Sequence, residues 1–194
     1  MDRDIQTEGR RERISKGKDG LSALSFNIYL IGFMGCGKST ATEYLRDAYG
    51  MHAVEMDREI ERSASMTIQE IFAEKGEPAF RRMETDLLRK LAGTSNRVVS
   101  CGGGAAMREE NVALMHQGGK VVLLLAAPET ILSRVSGDNS RPLLNGHKNI
   151  EDIRAMMEKR RPAYEAAADI MVSTDGRTEA EIATEILRKC KCLQ

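Results

Sequence analysis

With 194 residues, the chain has room for one well-buried α/β domain and not for two comfortable ones. Its 29 Lys and Arg balance 29 Asp and Glu, so there is no bulk attraction to nucleic acid or to an anionic membrane, and anions must be held by locally placed basic groups. Aromatic content of 4% without tryptophan argues against a base-stacking surface, and no apolar run approaches the about 20 residues of a membrane span.

No N-terminal apolar segment resembles a secretion signal. Cys36, Cys101, Cys190 and Cys192 lack the spacing of zinc ligands, which reads as reduced thiols in a cytoplasmic protein. Met1 to Ser25 is polar and charge-dense without an apolar stripe, and is expected to be a disordered or loosely helical extension of a domain covering 26–194.

The domain opens on Phe26-Asn27-Ile28-Tyr29-Leu30-Ile31, a short apolar run that reads as a buried strand. Directly after it comes Gly32-Phe33-Met34-Gly35-Cys36-Gly37-Lys38-Ser39, which fits the G-x-x-x-x-G-K-[ST] phosphate loop, and then helix formers from Thr40 to Tyr49. Strand, glycine-rich turn and helix are the context the motif needs. Glycines let the backbone come close to a polyphosphate, so that successive N–H groups converge on an anion at a helix N-terminus. Lys38 reaches the β- and γ-phosphates in such a loop and Ser39 offers its hydroxyl to Mg²⁺, with Gly35, Cys36, Gly37 and Thr40 completing the nucleotide cradle. ATP or GTP binding follows.

His52 to Met56 is the second strand, and Asp57 is placed to cap the helix that follows. Thr67-Ile68-Gln69-Glu70 has capping-box spacing, and Glu77 to Leu91 carries Phe80, Met83, Leu87, Leu88 and Leu91 on a helical period. Helices in the 57–91 insertion, over the carboxyl edge of a parallel sheet, suit substrate binding. Val98-Val99-Ser100 forms a third strand, ending on Cys101-Gly102-Gly103-Gly104, where three glycines suggest close approach of backbone to a ligand. Then follow a helix from about Arg108 to Gln117, a strand from Lys120 to Ala126, and a helix opened by Pro128. Residues 136–148, rich in Gly, Asn, Asp and Ser around Arg141, read as a mobile lid. A helix from Ile150 to Ala167, a strand from Asp169 to Ser173 and a helix from Thr178 to Cys190 close the chain. Alternating strands and crossover helices imply a parallel sheet covered on both faces.

Four further stretches bear on the reaction: Glu55-Met56-Asp57-Arg58-Glu59-Ile60-Glu61, Gly76-Glu77-Pro78-Ala79-Phe80-Arg81-Arg82-Met83-Glu84, Gly102-Gly103-Gly104-Ala105 and Arg141-Pro142-Leu143-Leu144. In that order behind the phosphate loop, they resemble the shikimate kinases from Phe26 to the C-terminus. The resemblance implies a three-layer P-loop kinase fold with a five-stranded parallel sheet in the order 2-3-1-4-5, and ATP-dependent phosphorylation of the shikimate 3-hydroxyl in chorismate biosynthesis. It implies that Asp57 binds the ring hydroxyls and positions or deprotonates the attacking one. Arg81 and Arg160 match the guanidiniums that pair with the substrate carboxylate, Arg82 and Arg161 being the neighbouring positions in rival registers. Gly102, Gly103 and Gly104 match the glycines lining the pocket. Arg141 matches the lid arginine that meets the transferring phosphoryl group, so Lys38, Asp57 and Arg141 form the catalytic set. Arg134 and Arg177 match residues flanking the adenine.

The family usually has Asp-x-Asp where this chain has Glu55-Met56-Asp57; Glu55 keeps the charge of the Mg²⁺-holding acid and adds a methylene. The implied partners are ATP, Mg²⁺ and shikimate, with no nucleic acid or membrane, in a monomer. Two alternatives stand beside this reading: another small-molecule kinase on the same scaffold, such as a gluconate kinase, and a non-catalytic relative that binds ATP or shikimate.

Overall fold

The computed structural model describes residues 24–135 and 149–193. The expected N-terminal extension lies almost wholly outside them, and the expected lid with Arg141 entirely so. Among the described residues the strands are β1 (Asn27–Ile31), β2 (His52–Glu55), β3 (Arg97–Ser100), β4 (Gly119–Leu125) and β5 (Ile170–Ser173). The helices are α1 (Lys38–Tyr49), α2 (Met56–Ala64), α3 (Ile68–Ala92), α4 (Glu109–Gly118), α5 (Pro128–Val135), α6 (Ile150–Ala167) and α7 (Glu179–Cys192). A 3₁₀ turn, Ala105–Met107, precedes α4.

The strands form one parallel sheet in the order β2-β3-β1-β4-β5. Alternation of side chains along each strand divides the core in two. Ile28, Leu30, Val98, Val122, Leu124, Ile170 and Val172 face one way, onto Leu45 of α1, Ile131 of α5 and Ile182, Ile186 and Leu187 of α7. Tyr29, Ile31, Val99, Val121 and Leu123 face the other, onto Leu88 and Leu91 of α3, Met115 of α4 and Tyr164 of α6. Both faces are thus apolar, as a sheet between two helical layers requires. A third, smaller cluster of Ile60, Ile71 and Phe80 ties α2 to α3.

Neighbours in the sheet are not neighbours in sequence around β1, which lies between β3 and β4. The chain leaves β1 toward the layer containing α1 and leaves β3 toward the layer containing α4. The carboxyl ends of β1 and β3 therefore border a crevice at a topological switch point, where ligands of open α/β sheets bind.

Local signals explain most boundaries. Thr67 caps α3 with both halves of the capping box: Glu70 N–H donates to Thr67 Oγ1 at 3.2 Å, and Thr67 N–H to Glu70 Oε2 at 2.7 Å. The helices expected from Thr67 and from Glu77 form one element bent at Gly76, whose φ of 76° is left-handed. One expectation is corrected. Asp57 does not cap α2: the helix begins at Met56 and Glu55 takes the cap position, without a side-chain cap bond. Met56 is fully buried in the core beneath the sheet edge, which draws the chain into the helix one residue early and leaves Asp57 in its first turn.

Candidate active site

The phosphate loop spans the gap between β1 and α1, and close packing dictates its glycines. A Cβ on Gly32, at φ 135°, would stand 2.5 Å from the Leu124 carbonyl oxygen. Gly37, at φ 100°, occupies the N-cap of α1, so the amides that follow open toward the loop. Lys38 Nζ donates to the carbonyls of Gly32 at 2.9 Å and Phe33 at 3.0 Å, bracing the loop from inside. Cys36 is buried, its sulfur 3.9 Å from the same ammonium.

Ser39 and Glu55 meet at the mouth of this loop, where Ser39 Oγ donates to Glu55 Oε2 at 3.1 Å. Among the described residues Glu55 Oε1 is buried without a hydrogen-bond partner. Burial pushes the Glu55 carboxyl above its ordinary value, against the hydrogen bonds from Ser100 and Ser39. A hydroxyl beside an unpaired carboxylate oxygen is a hard-donor pair of the kind Mg²⁺ takes, so these residues fit that ion. Arg134 reaches across from α5, donating to Gly35 O at 3.1 Å and to Thr174 Oγ1 at 3.3 Å. Arg177 is not part of that contact; its guanidinium bonds Glu185 and the carbonyls of Ser173 and Glu181.

The second half of the site is built on the glycine run after β3. A Cβ on Gly104 would lie 2.6 Å from Arg81 Nη1, and one on Gly102 would lie 3.0 Å from both Asp57 Oδ1 and Glu84 Oε1. A Cβ on Gly103 would face Arg160 Nη1 at 3.7 Å and Tyr164 Oη at 3.8 Å. The three glycines thus form a floor on which Asp57 from α2, Arg81 and Glu84 from α3, and Arg160 and Tyr164 from α6 converge. Asp57, Arg81 and Arg160 come together as the sequence reading placed them. Their rivals do not: Arg82 is exposed, and Arg161 is 61% exposed with surface pairs to Glu165 and Glu158.

Arg81 is held from two sides, by Glu84 through Nη1 at 2.8 Å and by Glu77 through Nη2 at 2.8 Å. Burial works against its charge, but the two carboxylates outweigh that and raise its pKa. Glu84 is 1% exposed, and its Oε1 has no hydrogen-bond partner among the described residues. Burial raises the Glu84 carboxyl, with the Arg81 guanidinium opposing and the Asp57 charge adding to the rise. Arg160 lies over the Phe33 ring, 5.8 Å from its centroid, so the guanidinium beside Gly103 also touches the phosphate loop. That contact bridges the two halves.

Glu84 and Tyr164 were missed by the sequence reading. Glu84 carried a signal: it stands four residues after Phe80 and four before Leu88, inside the apolar stripe of its helix. A lone acid on a buried face needs a partner, and Arg81 one turn earlier supplies it.

Comparison with known proteins places this geometry among relatives. The family model described as shikimate kinase matches residues 34–191. The chain is 42% identical to a shikimate kinase of Persephonella marina over 165 residues, covering 85% of this chain and 99% of that relative. Its structure resembles that of the shikimate kinase from Acinetobacter baumannii solved in complex with shikimate, with a TM-score of 0.80 and 34% identity over 87% of this chain and 94% of that one. A gluconokinase from Sinorhizobium meliloti, at 20% identity and a TM-score of 0.55 over 89% of this chain and 95% of that one, shares the fold alone.

Proposed function

This chain belongs to the shikimate kinase family, and from that premise we infer how its residues divide the work. The reaction is transfer of the γ-phosphoryl group of ATP, with Mg²⁺, to the 3-hydroxyl of shikimate, giving ADP and 3-phosphoshikimate in aromatic amino acid biosynthesis. Residues 35–40 and the Lys38 ammonium cradle the nucleotide's phosphates, and Arg134 covers the nucleotide from α5. Ser39 and Glu55 would hold Mg²⁺, which neutralises phosphate charge when bound.

Arg81 and Arg160 grip the ring carboxylate, since planar guanidinium forks match a carboxylate with parallel hydrogen bonds. Asp57 orients the 3-hydroxyl and takes its proton as the hydroxyl oxygen bonds to phosphorus and the bond to the ADP oxygen breaks. Glu84 holds Arg81 in place. Arg141, outside the described residues, is assigned to the charge of the transferring group; Arg141→Ala should lower kcat on the order of 10²- to 10³-fold. Arg177 retains the adenine-flanking assignment only by releasing its pair with Glu185.

One observation carries this reading: an acid and two guanidiniums from three helices meet over Gly102–Gly104, and one of those guanidiniums stacks on the phosphate loop. A monomer acting on a small molecule is proposed with this reading. A formal charge of zero supports an enzyme without nucleic-acid or membrane partners, and free cysteines support the cytoplasmic location proposed with it. Among the described residues no helix is long and apolar enough to cross a membrane. The test is ADP release, coupled to NADH oxidation, with shikimate and with gluconate as acceptors. Release with shikimate alone supports the assignment, and release with gluconate alone contradicts it.

A further inference from the structure

We propose that Tyr164 is a positioning residue for the substrate carboxylate, acting by holding Arg160 and the Gly103 peptide in one arrangement; this rests on the reading of Arg160 as a carboxylate clamp. Tyr164 stands four residues after Arg160 on α6, so the two side chains share a face of the helix. Its phenol donates to the Gly103 carbonyl at 2.6 Å, the same oxygen that Arg160 Nη1 approaches at 3.4 Å. Two donors from one helix therefore share one acceptor in the glycine floor, and the phenol makes the short bond.

The consequences follow from geometry. A peptide unit is planar, so fixing the Gly103 carbonyl also fixes the direction of the Gly104 N–H on its other side. Gly104 is where Arg81 packs, with its Nη1 2.6 Å from the position a Cβ would take. The Tyr164 hydrogen bond thus sets the spacing between the two guanidiniums that the substrate carboxylate must bridge. It takes one lone pair of that carbonyl in a short bond and leaves Arg160 the long 3.4 Å contact through Nη1, so the other donors of the guanidinium stay available to the ligand. Tyr164 is 5% exposed, and its ring packs in the core beneath the sheet. Burial raises the phenol's pKa, against the neighbouring Arg160 charge and its hydrogen bond, so the hydroxyl remains a donor across the working pH range.

Nothing in packing requires the hydroxyl. Phenylalanine would fill the same space, so a tyrosine whose polar contacts among the described residues are with Gly103 and Arg160 is placed for what it does to those two groups.

The experiment is Tyr164→Phe in the full chain, with dissociation constants for shikimate, for its methyl ester and for a non-hydrolysable MgATP analogue, beside kcat and KM. We expect shikimate to bind about five- to thirty-fold more weakly, the loss of one buried hydrogen bond and its geometry. MgATP-analogue affinity should stay within about twofold and kcat within about threefold. The ester, lacking the anionic carboxylate, should lose much less than the acid. Equal losses for acid and ester, a parallel loss of nucleotide binding, or unchanged shikimate affinity would each overturn the proposal. Arg160→Ala separates its failure from that of the underlying reading. If Arg160→Ala weakens shikimate while Tyr164→Phe does not, only the positioning role falls; if Arg160→Ala has no effect, the clamp falls with it.

Discussion

Replacing Gly104 by alanine tests the pocket with a single methyl group. Gly104 has φ −102° and ψ −8°, a region open to any residue, so alanine introduces no backbone strain there. Its Cβ would nevertheless stand 2.6 Å from Arg81 Nη1 and 3.0 Å from Arg81 Cζ, well inside contact distance. The guanidinium cannot simply swing away, because Nη1 bonds the buried Glu84 at 2.8 Å and Nη2 bonds Glu77 at 2.8 Å. Abandoning Glu84 would leave a carboxylate that is 1% exposed without its cation, a cost of several kcal/mol. The cheaper response is for the fork to tilt, keeping Glu84 and losing its alignment toward the ligand. Loss of one charge-assisted hydrogen bond amounts to about 1.5–3 kcal/mol. That corresponds to a rise of about 10- to 150-fold in the KM for shikimate. Steady-state kinetics with each substrate varied in turn reads this directly, and the KM for ATP should stay within about twofold. A shikimate KM close to that of the parent, or equal increases for both substrates, would refute the placement of Arg81 over Gly104.

Three more predictions bear on neighbouring groups. Arg160→Ala should raise the shikimate KM by on the order of 100-fold, whereas Arg161→Ala, at a 61% exposed surface pair, should leave kinetics and stability essentially unchanged. Similar effects for the two would mean the register is wrong. Glu55→Gln should raise the Mg²⁺ concentration for half-maximal activity by on the order of 10-fold or more while sparing shikimate binding; an unchanged Mg²⁺ requirement would remove Glu55 from the metal site. Glu84 has its pKa raised above 4.5 by burial, so its contribution to stability is present below that value and is lost as pH rises through the folded value. Urea unfolding of Glu84→Gln against the parent from about pH 4 to pH 8 should show the balance moving toward the variant as pH rises, and a pH-independent difference would contradict the burial argument.

Much of the sheet was legible because β1, β3 and β4 carry short apolar runs, and the phosphate loop because its residue types are dictated by a close backbone approach. The strand order came from family resemblance, since periodicity does not tell which parallel strand pairs with which. Asp57, Arg81 and Arg160 were legible in the same way. Nothing local distinguishes Arg160 from Arg161; the packing of α6 does, turning Arg160 to Gly103 and Arg161 to solvent. Asp57 was misread as a cap because acids favour that place, while burial of Met56 decided where the helix starts. Glu84 lies in the apolar stripe of its helix, which marks it as buried, but what it meets there is set by the docking of α3 against the glycine run. Tyr164 was hidden for a related reason: its partner lies 61 residues away in sequence, on a carbonyl that no side-chain pattern reveals.

The most direct test is a crystal structure of the enzyme with shikimate and a non-hydrolysable MgATP analogue bound together. The account predicts the ring carboxylate between Arg81 and Arg160, the 3-hydroxyl on Asp57, and that oxygen about 3–3.5 Å from the γ-phosphorus. A carboxylate bound elsewhere, or a ring whose hydroxyl lies away from Asp57 and out of reach of the phosphate, would contradict it.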